Sequence, residues 1–242
     1  GRAAMPPGPA PFPLVGETLV EVNFQFDWAA AFGSIPHLLP GIPWTLMISF
    51  GGLAIGFVIG IVFGLMRISP SRWMRLPAVF YIEVFRGTPI LVQVLFIFYG
   101  LPQLLGGPIN ALTAGIAAIA VNSGAYISEV VRGGVQSIER GQREAALSLG
   151  LSRTQAFRYV IWPQAFRRMI PPLGNQGIIS IKDTSLFSVI GVGELVRQGQ
   201  IYIATTFTAL EVYLMVALLY LAITWSLSLL LRVLERRGLV GQ

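Results

Sequence analysis

Lys182, Asp183, Thr184 and Ser185 stand together inside a stretch, residues 170–192, that is otherwise largely apolar. An ionisable side chain facing lipid costs a few kcal/mol, so such a group turns to a cavity, a partner or a pathway. Lys182 and Asp183 are adjacent and point about 100° apart on a regular helix, so they cannot simply neutralise each other. At least one needs a partner elsewhere. Two readings stay open: a structural ion pair with Glu83, Arg86 or Glu129 that holds helices together, or the lining of a translocation path. Glu83 and Arg86 are themselves three residues apart and can pair on one helical face. Asn122 and Ser123 place further polar groups near the middle of another apolar run.

Other chemistries lack their residues. The chain has no cysteine, which excludes disulfides, thiolate metal sites and cysteine nucleophiles. Its only histidine, His37, precedes the long apolar runs, no GxSxG elbow is present, and no metal site is expected. A phosphate-binding loop needs GxxxxGK[ST], but the only lysine, Lys182, is followed by Asp183. Whatever drives this chain is in another subunit.

The second half has one long charged interruption, centred on residues 141–163. Gln142 to Leu149 are good helix formers, and Gly150 can take the left-handed conformation that ends a helix. Ser152 and Gln155 have capping-box spacing, so a second helix is expected to begin at once and to run to the Trp162-Pro163 boundary. Arg140, Arg143, Glu144, Arg153 and Arg158 keep the segment out of lipid. Ala145 and Ala146 leave room for close approach by another protein. The alternative is a solvated loop with an Arg140–Glu144 pair.

The elements that position these residues follow from hydropathy. The chain is 54% hydrophobic and 12% charged, with a mean hydropathy of +0.70, far from the soluble norm of about a quarter charged. It is therefore all-α, a polytopic membrane protein with five expected transmembrane helices. These are residues 44–66, a second segment ending near residue 101, 109–131, 170–192 and 209–231. Gly52, Gly56, Gly60 and Gly64 leave one face of the first span bare for helix packing. In the third, Ala120, Gly124 and Ser128 make a small-residue stripe. Pro89 frees the carbonyl of Phe85, so the second segment should kink or restart there. Residues 1–40 read as an extracytoplasmic, proline-rich, partly disordered tail, 41–237 as the membrane domain, and 238–242 as a C-terminal tail.

The net charge of +6 is placed by topology and does not mark a nucleic-acid surface. With the N-terminus outside and the C-terminus inside, Arg67, Arg72, Arg75, the arginines from Arg132 to Arg168, and Arg232, Arg236 and Arg237 all face the cytoplasm. Only Arg2 and Arg197 then face out.

Glu144-Ala145-Ala146, Gly150 and Pro163 match the signature EAA-x3-G-x9-IxLP of ABC-importer permease subunits, with Val160 and Trp162 replacing its Ile and Leu. The runs Phe85-Arg86-Gly87-Thr88-Pro89, Tyr126-Ile127-Ser128-Glu129, Pro171-Pro172-Leu173-Gly174-Asn175-Gln176 and Lys182-Asp183-Thr184-Ser185-Leu186 resemble the polar-amino-acid branch of that family. The resemblance covers nearly everything from Phe26 onward. It implies a type I ABC importer permease (MetI-like) fold in the bacterial cytoplasmic (inner) membrane. It also implies two ATP-binding subunits, a second permease subunit, identical or homologous, and an extracytoplasmic amino-acid-binding protein. Under it, Glu144, Ala145, Ala146 and Gly150 belong to a coupling helix seated in the ATPase, which binds the ATP and Mg; this chain binds no cofactor. Asp183 would accept the ammonium of an amino acid, and Thr184, Ser185 or Asn122 would donate to its carboxylate. Glu83, Arg86, Glu129 and Lys182 would form structural or pathway ion pairs. A stand-alone channel or ion-coupled carrier, or a structural subunit of a membrane complex, are the alternatives.

Overall fold

The computed structural model describes residues 26–234, and every element among them is helical. Two long helices form the axis: α2 (Gly41–Arg67) and α6 (Ala111–Gln136). Gly52, Gly56, Gly60 and Gly64 all face α6. A Cβ on Gly56 would come within 2.9 Å of the Ala120 carbonyl, and one on Gly64 within 3.0 Å of the Ser128 carbonyl. The backbones touch because no side chain separates them, the close van der Waals packing that substitutes for hydrophobic driving force in lipid.

Around this axis lie α1 (Trp28–Leu38), α3 (Arg72–Gly87) and α4 (Ile90–Leu95). A π-helical turn, Phe96–Gly100, leads to α5 (Leu101–Leu105), which Gly106 ends in the left-handed conformation. Then follow α7 (Arg140–Ser148), α8 (Arg153–Gln155) and α9 (Trp162–Asp183), a 3-10 helix, Thr184–Ile190, and finally α10 (Leu195–Thr206) and α11 (Ala209–Leu234). Among the described residues, α2, α6 and α11 are long and apolar enough to cross a membrane. The pair formed by α3 and residues Ile90–Leu105 adds one more if counted together, bent by 102° at the Thr88-Pro89 break.

Three expectations change. Residues 28–38 of the supposed tail are helix α1, opened by the Asp27 carboxylate, which accepts from the Ala30 amide at 3.0 Å. Ala31 and Leu38 are fully buried with Leu195, Val212 and Val216, and this burial orders the segment. Residues 1–25, and the C-terminal tail with Arg236 and Arg237, lie outside the described residues.

The Trp162-Pro163 boundary is no break either. A π-helical turn, Ala156–Ile161, joins α8 to α9, and Pro163 falls in the first turn of α9, where its missing N–H is tolerated. Thirdly, residues 170–192 are not one helix: α9 ends at Asp183 and the chain tightens into the 3-10 helix, so the polar cluster sits at a junction and not mid-helix.

Candidate functional site

The break between α3 and α4 supplies the site. Pro89 has no N–H, so no backbone donor from that residue meets the Phe85 carbonyl. In its place the Gln93 side chain, from α4, donates through Nε2 to the Phe85 carbonyl at 2.9 Å and to the Thr88 carbonyl at 3.0 Å. Asn122 of α6 donates through Nδ2 to Gln93 Oε1 at 3.1 Å. Beside this knot lies a cavity of about 460 Å³, lined by Arg86, Thr88 and Pro89 of the break, Asn122 and Tyr126 of α6, and Gln176 and Asp183 of α9.

Arg86 is held in position. Its guanidinium carbon lies 5.3 Å from the centre of the Tyr126 ring, and Nη1 is 3.8 Å from Glu129 Oε2. Glu129 also pairs with Arg67 at 2.8 Å and Arg132 at 2.7 Å, and Arg67 reaches Glu83 at 3.6 Å. One carboxylate thus ties together α2, α3 and α6. The expected Glu83–Arg86 pair is replaced by this network, because Arg67 of α2 comes between them in charge though not in sequence.

Lys182 is exposed and, like Asp183, has no ion pair among the described residues. The proposed pairing of these two with Glu83, Arg86 or Glu129 is therefore absent. Asp183 and Asn122 share the cavity, but Thr184 and Ser185 do not line it. The tight 3-10 winding turns their hydroxyls back onto the Ile181 and Lys182 carbonyls, each at 2.7 Å. Thr184 is fully buried.

The second candidate surface is α7. Glu144 and Ala145 are exposed, whereas Ala146 is buried against its own chain. Gly150 has φ +84 and closes the helix, with the Leu151 amide donating to the Ala146 carbonyl at 3.2 Å. The capping box opens α8 as its spacing predicts: the Ser152 hydroxyl accepts from the Gln155 amide, and Gln155 Oε1 accepts from the Ser152 amide at 2.9 Å. Arg140 and Glu144 form no pair; both border an open basin of about 1660 Å³ that Arg75, Arg143 and Arg153 also line.

Residues 56–239 match the family model "Binding-protein-dependent transport system inner membrane component". The chain belongs to this family. The permease is 56% identical over 214 residues to the glutamine transport system permease protein GlnP of Escherichia coli (strain K12), which covers 88% of this chain and 98% of that one. It is 36% identical to the arginine transport system permease protein ArtQ of Bacillus subtilis (strain 168), over 88% of this chain and 97% of that one. A solved structure of an amino acid ABC transporter with histidines superposes with a TM-score of 0.84 at 41% identity, over 88% of this chain and all of that one. The MetNI methionine ABC transporter, at 21% identity and a TM-score of 0.66, over 81% of this chain and 95% of that one, shares the fold. These likenesses support an importer permease of the bacterial inner membrane, with ATP hydrolysis in a partner subunit, over a stand-alone channel, carrier or scaffold.

Several residues of the permease escape a reading of its sequence. Gln93 was signalled by the carbonyl that Pro89 frees, since a buried acceptor in lipid needs a donor one turn away. Glu194 gave no such signal. It is fully buried and caps α10, accepting from the Val196 and Arg197 amides at 2.8 Å each and from the Tyr220 hydroxyl at 2.9 Å. Burial pushes its carboxyl up to about 7, against the three donors, which favour the charged form.

Proposed function

We propose that this permease carries a polar amino acid, glutamine foremost, through an ATP-driven importer. The observation that carries the reading is the cavity at the helix break, where a pinned cation, Arg86, and a free carboxylate, Asp183, line one space. An amino acid needs both: a donor pair for its carboxylate and an anion for its ammonium. The similarity to a glutamine permease points to glutamine among the zwitterions.

In this reading α7 is the coupling helix, and Glu144, Ala145, Ala146 and Gly150 contact one of two ATP-binding subunits. The arginine distribution supports an N-out, C-in orientation, in which the three crossings before α7 bring it to the cytoplasm. A second permease subunit completes the path, and an extracytoplasmic binding protein delivers the amino acid. ATP binding closes the ATPase pair, and α7 carries that motion into α6 and α9, which bear Asn122 and Asp183. The switch between inward-open and outward-open cavities is driven by the different affinity of the two states for ATP.

The experiment is the ATPase rate in proteoliposomes holding the permease with its ATPase and receptor, screened against single amino acids. Stimulation by glutamine is expected, and a weak or absent response to apolar amino acids. Equal response to every amino acid, or to none with the ATPase bound, removes the assignment.

A further inference from the structure

The helix break does more than make room for a ligand: it sets the direction of the hydrogen bonds that reach the cavity wall. The Phe85 and Thr88 carbonyls are backbone acceptors and cannot reverse. Both meet the same Gln93 side-chain atom, at 2.9 and 3.0 Å, so that atom is the amide nitrogen. The Thr88 hydroxyl gives its own hydrogen to the Val84 carbonyl at 2.9 Å, so towards Gln93 Nε2, 2.9 Å away, it can only accept a share of one of the two amide hydrogens, which fits the same orientation. Gln93 Oε1 is then turned towards α6, where it accepts from Asn122 Nδ2 at 3.1 Å; that nitrogen also lies 3.5 Å from the Phe85 carbonyl. Both Asn122 amide hydrogens are engaged on the knot, and the polar atom that Asn122 has left is its carbonyl oxygen. Gln93 and Asn122 are 7% and 6% exposed, so water does not compete for these bonds.

We infer that this relay makes Asn122 a fixed hydrogen-bond acceptor in the cavity, one that distinguishes a carboxamide side chain from a carboxylate. A free asparagine serves either ligand, because turning its amide over exchanges acceptor for donor. A locked one does not: it accepts from the NH₂ of a carboxamide and sets lone pairs against a carboxylate oxygen. The two charged poles of the cavity, Arg86 and Asp183, match the charged poles of any amino acid, so neither separates an amide from an acid. A neutral acceptor matched to a neutral donor does. This reverses the role that the sequence suggests for Asn122, which was a donor to the substrate carboxylate. Gln93 acts through Asn122 and is a positioning residue.

The inference rests on the cavity being the substrate site, and its test separates the two. The complete complex of permease and ATPase is purified without receptor, and equilibrium binding of radiolabelled glutamine and of glutamate is measured for wild type, Asn122→Leu and Gln93→Leu. Wild type is expected to prefer glutamine by at least about tenfold, because a site built to hydrogen-bond a group rejects the analogue that cannot return the bond. Asn122→Leu brings the ratio towards one by weakening glutamine. Gln93→Leu brings it towards one chiefly by strengthening glutamate, since the released Asn122 can now turn its NH₂ to the acid; a purely structural loss at Gln93 weakens both ligands together. An unchanged ratio in the assembled variants overturns the inference and leaves the cavity reading standing. Should Gln93→Leu fail to assemble, the ratio in Asn122→Leu decides. Wild type that binds neither amino acid overturns the cavity reading and the inference with it.

Discussion

Asp183 contributes the one carboxylate on the cavity wall, and no described cation is paired with it. Its neutralisation therefore leaves no orphaned partner inside the fold, in contrast to Glu129, whose loss would leave Arg86 and Arg132 without an ion pair. Asp183→Asn is expected to raise the substrate concentration for half-maximal transport by about 10- to 100-fold, the worth of a charge-assisted hydrogen bond, while complex assembly stays intact. Uptake titrations beside size-exclusion profiles check this; loss of assembly would mean that the residue is structural. Glu194 makes a different prediction. Its folded-state carboxyl sits near 7, above the ordinary value of 4.5, so its contribution to stability is full below about 4.5 and is lost as pH rises through 7. The melting temperature of the purified permease should fall between about pH 4.5 and pH 7 and level off above, and Glu194→Gln should flatten that slope. An equal slope in the variant would assign the pH response to other groups. Asp183 was legible because a charge in an apolar run is conspicuous, whereas Glu194 was not, because it lies between the expected spans and only the fold buries it.

The elements most legible in the sequence are those whose residues act locally. Gly150 ends α7 and the Ser152–Gln155 box opens α8, since each needs only neighbours within a few positions. The glycine ladder of α2 was likewise readable as a packing face, though its partner became known only in three dimensions as the small-residue stripe of α6. What was not legible is structure held by distant contacts: α1 against α11, and the 3-10 helix after Asp183 that carries Phe187 into the core with Ile48 and Val94. Two expectations belong at this scale. A Cβ on Gly150 meets nothing within 4 Å, so Gly150→Asp strains the backbone by about 1–2 kcal/mol without a clash inside the permease. The variant should assemble with its ATPase yet lose most substrate-stimulated hydrolysis; unchanged transport would remove the coupling role of α7. Gly56→Val forces a side chain onto the Ala120 carbonyl, within 2.9 Å, and should abolish a monodisperse complex, whereas Gly33→Ala, with its nearest atom at 3.6 Å, should not.

At the scale of the whole molecule the open quantity is the number of crossings, and it turns on α9. The helix is too polar to qualify by composition, yet its polar residues have protein to face: Gln176 and Ser180 are buried, and Asp183 lines the cavity. We propose that α9 crosses, which its length with the 3-10 helix allows. From Met169, just past Arg167 and Arg168, to Asp183, α9 rises about 22 Å at 1.5 Å per residue. The 3-10 helix that follows adds about 14 Å at 2.0 Å per residue. The sum exceeds a hydrocarbon core of about 30 Å. With the N-terminus outside, the three crossings before α7 place it inside in either case; a crossing by α9 then places α10 outside, and without it α10 stays inside. Because the chain has no cysteine, any introduced thiol reports alone. Leu104→Cys and Leu149→Cys occupy positions 76% and 84% exposed, and Ala204→Cys lies on an exposed part of α10. A membrane-impermeant maleimide applied to intact spheroplasts should label positions 104 and 204 and reach 149 only after lysis. Labelling of 104 but not 204 would show that α9 and its 3-10 extension turn back before crossing. The path would then have to be closed by the partner permease and not by α9.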